Sequence, residues 1–265
     1  MPVVDNDGVG IAYEVINPSF EETVVLVGGL GYGRWFWQWQ RPALEDAYSL
    51  VIPDHRGVGD SDTPEGPYTI REMANDLEAV LADIGIESAH VFGVSMGGMV
   101  AQQYAVEYDR AESLILLATD CGGEDRVDIP PEVVERILNP PEGLSLRENI
   151  RYEASVHEFW EREQEVIEEI LDYRTADPVS DQVRTWQAEA VGSWDLADDI
   201  ERITQPTLLM HGERDQVVPV ENLDRLVEGI PHAEIVRFDE GGSHLFAIER
   251  SKAVNERIRA FLDDR

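Results

Sequence analysis

A chain of 265 residues, 43% of them hydrophobic, can bury a substantial core without disulfide or metal staples. Its 54 acidic and 21 basic residues give a formal net charge of −33, spread along the chain rather than gathered in a tail, which excludes a disordered acidic tract and disfavours any nucleic-acid partner. Cys121 is the lone cysteine, so no intrachain disulfide can form and nothing points to an oxidising compartment.

Met1 to Gly10 lacks a basic region followed by an apolar core, so no signal peptide is read there. No apolar run approaches the ~18 residues that span a bilayer. A soluble, cytoplasmic protein with no membrane partner is expected. Gly10 to Ile16 and Thr23 to Val27 read as strands, the second apolar throughout and hence central. A glycine-rich loop follows (Gly28, Gly29, Gly31, Gly33), then Trp35, Phe36, Trp37 and Trp39. Leu50 to Pro53 is a short strand leading into the turn-rich stretch 54–62. Thr69 and Glu72 form a capping box for a helix that keeps Ile70, Met73, Leu77, Val80, Leu81 and Ile84 on one face and stops at Gly85.

Ala89 to Val94 reads as a buried strand and Met96 to Tyr108 as a helix, with Gly93-Val94-Ser95-Met96-Gly97 between them. A serine on so tight a strand-to-helix turn must strain its backbone, and neighbouring chain passes close enough to demand glycine two residues to either side. Its hydroxyl is then exposed at a helix N-terminus, where free amides favour developing negative charge. Ser113 to Ala118 is a further buried strand. Strands alternating with helices imply an α/β architecture, a doubly wound, mostly parallel sheet with helices on both faces.

From Cys121 to about Trp194 the buried-strand signal disappears, and Pro130-Pro131 and Pro140-Pro141 punctuate helical stretches. Ser145 to Tyr173 reads as long, charged and amphipathic, through Ile150, Ala154, Phe159, Ile167 and Leu171. The expected organisation is a core of residues 1–120 and 195–265 with a helical cap, 121–194, inserted over the sheet. Strand Thr207 to Met210, helix Glu221 to Val227, strand Ala233 to Phe238 and helix Ser251 to Leu262 complete the core.

A serine hydroxyl attacks at neutral pH only with a base in hydrogen-bond reach and a third group that orients the base. Among six histidines, His244 stands in a glycine-rich loop between the last strand and the last helix. His211 ends a strand and is expected to pack there; His55, His90, His157 and His232 read as surface or structural. The orienting acid is Asp215, past a strand end and ahead of Pro219, with Asp120 as the rival. Backbone amides of Leu30 and Met96 are the expected oxyanion donors. No histidine pair joins a cysteine or carboxylate cluster at metal-ligand spacing, so no metal site is expected. The glycine run could also suit a dinucleotide, but it continues into Arg34 and large aromatics rather than a phosphate-binding helix.

Five motifs now stand in order: the post-strand glycine loop, Asp54-x-Arg56-Gly57-x-Gly59-x-Ser61, Gly93-x-Ser95-x-Gly97-Gly98, Gly212-x-x-Asp215-x-x-x-Pro219 and Gly242-x-His244. Together they resemble the α/β-hydrolase superfamily. Gly66 to Ile70, Ser95 to Met99 and Ala118 to Gly123 are similar to its enol-lactonase and small-carboxylesterase group. The resemblance implies a cofactor-free Ser-Asp-His hydrolase with a helical cap. One departure is Gly28, where the family usually has a histidine, so the loop's anchoring hydrogen bonds must come from elsewhere. Serine rather than aspartate at position 95 disfavours the dehalogenase and epoxide-hydrolase branches. The excess of acids with lysine reduced to Lys252 resembles proteins of extreme halophiles, in which salt screens self-repulsion.

The expected reaction is acyl transfer to water from a small-molecule ester or lactone. Trp35, Phe36 and Trp160 are expected pocket-lining residues, with Trp39, Phe159 and Trp186 as further possibilities. Perhydrolysis, peracid halogenation or carbon–carbon cleavage by the same triad, or a ligand sensor with a vestigial triad, are the alternatives.

Overall fold

The computed structural model describes residues 1–154, 163–240 and 242–265 (backbone only at residue 138). Its centre is an eight-stranded sheet: β1 (Val3–Asn6), β2 (Val9–Ile16), β3 (Thr23–Val27), β4 (Ser49–Pro53), β5 (Ala89–Val94), β6 (Ala111–Leu117), β7 (Thr207–Gly212) and β8 (Glu234–Phe238). The strand order is β1-β2-β4-β3-β5-β6-β7-β8. β1 and β2 pair antiparallel, as do β2 and β4; all later pairs are parallel. β1 is absent from the sequence reading because its short segment alternates exposed and half-buried residues and carries Asp5 and Asn6.

Alternation along β3 divides the core. Val25 and Val27 face the cluster that holds Val91, Met73, Leu77 and Tyr104; Val24 and Leu26 face the one that holds Phe92, Leu44, Val254 and Ile258. Each such side chain, fully buried, contributes roughly 1.5–3 kcal/mol relative to exposure. α1 (Arg41–Leu44) and the last helix belong to the second face, while α2 (Ile70–Asp83) and α3 (Met96–Glu107) belong to the first. Thr69 caps α2 as expected, its hydroxyl accepting the Glu72 N–H at 3.1 Å. The Glu72 carboxylate, however, accepts the Thr69 hydroxyl proton and pairs with Arg56, rather than reaching a backbone amide.

Between β6 and β7 lie α4 (Pro131–Leu138), α5 (Leu146–Ala154), α6 (Gln164–Ala176) and α7 (Asp181–Ser193). The stretch read as one long amphipathic segment, 145–173, thus contains α5 and the greater part of α6, with residues 155–162 outside the described set. Ile150, Ala154, Ile167 and Leu171 are buried as the pattern requires; Phe159 lies outside the described residues. Buried Glu153 of α5 accepts from Arg174 of α6 at 3.0 Å and from Arg184 of α7 at 2.9 and 3.0 Å, tying three helices together. The segment's two ends meet at an isolated antiparallel bridge, Gly122 with Asp195, reinforced by Leu196 N–H donating to Cys121 O. α8 (Asn222–Gly229), α9 (Phe246–Glu249) and α10 (Ser251–Asp263) complete the chain. No described helix is long and apolar enough to cross a membrane.

Candidate active site

In an open parallel sheet, ligands bind beyond the carboxyl ends of strands where the order of connection reverses. Here that point is β3, with β4 on one side and β5 on the other. The loops leaving β3 and β5 therefore emerge side by side. The first is the glycine loop and the second holds Ser95.

Ser95 has φ 54° and ψ −121°, a conformation that L-residues rarely hold. Close packing enforces the turn. A Cβ on Gly93 would strike the Gly97 carbonyl, and one on Gly97 would strike the Val27 carbonyl. The Ser95 side chain stands partly exposed at the start of α3. Met96 N–H, first in that helix, has no intrahelical acceptor, and Leu30 N–H has none among the described residues. The glycine loop lies against the serine: a Cβ on Gly29 would sit 3.6 Å from Ser95 Cβ.

Asp215 and His244 come from the loops after β7 and β8. His244 Nε2 lies 3.1 Å from Ser95 Oγ, and His244 Nδ1 donates to Asp215 Oδ2 at 2.8 Å. Asp215 Oδ1 accepts the N–H groups of Val217 and Val218, both at 2.9 Å, so the carboxylate is fixed by its own turn. Burial pushes the Asp215 carboxyl up, but the charge of His244 and hydrogen bonds from His211 and His244 outweigh it, holding it well below the usual carboxylate range. The structure thus brings Ser95, His244 and Asp215 into one line.

Asp120, the rival acid, is engaged elsewhere. Its Oδ1 accepts Gly122 N–H at 2.8 Å, and its Oδ2 pairs with Arg126 at 3.0 Å. Burial raises its pKa, partly opposed by Arg126. His211 packs as expected, with Nε2 2.9 Å from Val218 O, and also 3.4 Å from Asp215 Oδ2. His90 is buried against Ser113, and His232 meets Gln205 O at the surface; His157 lies outside the described residues.

The anchor that the glycine loop needs in place of a histidine at position 28 comes from His55. Its Nε2 donates to Gly28 O at 2.8 Å, and burial lowers the pKa of this imidazole, favouring the neutral form. The surface alternative for His55 is overturned, since the residue is buried. At the loop's far end Arg34 pairs with Asp54 and Asp60.

Of the expected pocket residues, Trp35 is half-buried and stacks on Tyr173 of α6 with ring centres 5.4 Å apart and planes within 3°. Phe36 is only 1% exposed, packed among Tyr32, Trp37 and the second core cluster, a core position. Trp39 is half-buried against that same cluster, and Trp186 packs on Tyr68 with centres 5.3 Å apart. Trp160 lies outside the described residues. A residue the motifs do not flag is Gln187 of α7, whose Oε1 accepts Gly31 N–H at 2.9 Å. No group of three or more metal-ligating side chains occurs among the described residues.

Residues 22–250 match the family model described as alpha/beta hydrolase fold, and the chain belongs to that family. It is 31% identical over 230 residues to a poly(3-hydroxyalkanoate) depolymerase of Ectopseudomonas oleovorans, across 83% of this chain and 77% of that protein. It is 26% identical over 260 residues to 3-oxoadipate enol-lactonase 2 of Acinetobacter baylyi, across 96% of this chain and 93% of that one. Among solved structures, the enol-lactonase of Burkholderia xenovorans LB400 superposes with a TM-score of 0.85 at 26% identity, covering 99% of this chain and 100% of that one.

Proposed function

We propose that this protein is a serine hydrolase that cleaves a carboxylic ester or lactone through an acyl-enzyme on Ser95. The observation that carries the reading is the continuous hydrogen-bonded line from Ser95 Oγ through His244 to the Asp215 carboxylate. His244 Nε2 takes the Ser95 proton as Oγ attacks the carbonyl carbon. The oxyanion rests on the Met96 and Leu30 amides, aided by the positive end of α3. His244 returns the proton to the leaving alcohol, then activates a water that releases the acid. Asp215 holds the imidazole in the tautomer this needs and stabilises the imidazolium that forms. Residues 121–194 act as the cap, and Trp35, bridged to it through Tyr173, suits an apolar pocket wall better than Phe36 does. The reaction requires no cofactor, metal, nucleic acid or membrane.

The names of the depolymerase and enol-lactonase relatives support oxygen esters and lactones as the substrate class. The test is a hydrolysis screen over acyl-chain lengths and lactones at molar salt, run beside peroxide and diketone substrates, with fluorophosphonate labelling. Ester or lactone turnover with one label per chain on Ser95 is the expected result. Turnover of the diketone alone reassigns the chemistry to carbon–carbon cleavage, and halogenation or peracid formation alone reassigns it to perhydrolysis. An absence of labelling favours a ligand sensor.

A further inference from the structure

We infer that Gln187 is a specificity-determining residue, donating a hydrogen bond from Nε2 to an oxygen carried on the substrate's acyl chain close to the scissile carbonyl. The inference rests on the hydrolase reading above. Gln187 is fully buried, at 0% exposure. Because its partner on the glycine loop is an N–H donor, the amide must present Oε1 to Gly31, which fixes the direction of the nitrogen. That nitrogen is buried and has no partner among the described residues. A buried donor without an acceptor is costly. The acceptor must come from outside the described protein.

Its position in the fold says what kind of acceptor. Gly31 follows Leu30, whose amide is the oxyanion donor of the proposed mechanism, in the loop that lies against Ser95. Gln187 Nε2 is bonded to the same carbon as the oxygen on Gly31. Gln187 thus meets the loop one residue along from the oxyanion donor, and in the proposed binding mode the acyl carbons next to a carbonyl held by Leu30 N–H lie toward this amide. A keto or hydroxyl oxygen on those carbons satisfies the donor, and a plain alkyl chain leaves it unpaired. The donor is also held in advance of binding. The Ser180 hydroxyl caps α7 by accepting Val183 N–H at 3.3 Å, and Arg184, one turn before Gln187, is held by both Glu153 oxygens.

The test uses Ser95→Ala, which cannot turn substrate over, titrated with ethyl β-hydroxybutyrate and ethyl butyrate by ligand-observed NMR. The β-hydroxy ester is expected to bind about fivefold tighter, the worth of one neutral hydrogen bond. Adding Gln187→Glu at pH 8, which keeps an acceptor for Gly31 and removes the donor, is expected to abolish the difference. Equal affinities in Ser95→Ala, or a difference that survives Gln187→Glu, overturn the assignment and leave the amide to a trapped water. Should the buried carboxylate prevent folding, as judged by circular dichroism, Gln187→Met replaces it, with unchanged ethyl butyrate affinity as the control that losing the Gly31 acceptor has not disturbed the loop. Turnover of the two esters by the unsubstituted protein is measured separately. No turnover with the binding preference intact defeats the hydrolase reading and not the role of Gln187; turnover without the preference does the reverse.

Discussion

His55 Nε2 and the Gly28 carbonyl oxygen, 27 residues apart in sequence, are 2.8 Å apart in space, and this contact ties the loop after β3 to the loop after β4. Removing it with His55→Leu or His55→Ala is expected to lower kcat by about tenfold to a hundredfold, because the Leu30 amide loses its fixed position. Fluorophosphonate labelling of Ser95 should slow but still reach completion. A kcat unchanged in both variants would show that the loop is anchored by other contacts.

The same imidazole gives a pH signature. Its folded-state pKa is lowered by burial, so as pH falls through about 6.5 the unfolded chain gains a proton that the folded chain does not, and stability is lost. His55→Gln lacks this loss. The difference in unfolding midpoint between the parent and His55→Gln should therefore narrow as pH drops from about 7.5 to about 5.5, the window below the ordinary histidine pKa. A difference that widens would mean that His55 is protonated in the folded state.

The strain at Ser95 predicts a trade between stability and activity. Ser95→Gly removes the nucleophile and relaxes a φ of 54°. Strain of this kind costs of order 1–3 kcal/mol, partly offset by the greater unfolded-state freedom of glycine, so a net gain of about 1 kcal/mol is expected. For a chain of this size that is a rise of about 2–4 °C in Tm, together with loss of labelling. A fall in Tm would mean that the serine side chain contributes more packing than its backbone costs.

Asp215→Asn and Asp120→Asn should separate chemistry from stability. The first breaks the orientation of His244 and is expected to lower kcat by about 10³–10⁴. The second keeps an acceptor for Gly122 but leaves half-buried Arg126 without its counter-charge. It should cost on the order of 1–3 kcal/mol of stability with less than about a tenfold change in kcat. The opposite pattern would move the orienting acid to the end of β6.

The net charge of −33 predicts that Tm rises as potassium chloride goes from dilute buffer to molar concentration, because salt screens the repulsion among surface carboxylates. A Tm independent of salt would separate the acidic composition from any halophilic adaptation.

The sheet was legible because β3, β5, β6 and β7 are apolar runs punctuated by glycine or proline, and motifs at their carboxyl ends must converge once the strands are parallel. Ser95, Asp215 and His244 each sit at such an end, so chain order alone suggested their meeting. β1 escaped because its half-exposed, polar alternation looks like loop. The anchoring role of His55 escaped because a histidine inside an arginine- and glycine-rich turn gives no sign of which carbonyl it will face. Gln187 escaped for a related reason. A glutamine in a charged, amphipathic helix reads as solvated, and only the docking of α7 on Gly31 reveals that it is buried.

The backbone pair Gly122 and Asp195 acts as a clasp at the neck of everything between β6 and β7. Since chain leaves and re-enters at one place, the spacing of those two strands does not depend on how much polypeptide lies beyond the clasp. Closing a longer loop across a fixed gap costs only logarithmically more entropy. Polypeptide of another length can therefore be spliced in at this neck without re-registering the strands. Any such replacement must still supply Gly31 N–H with the acceptor that Gln187 gives it, since that bond crosses from the segment to the glycine loop.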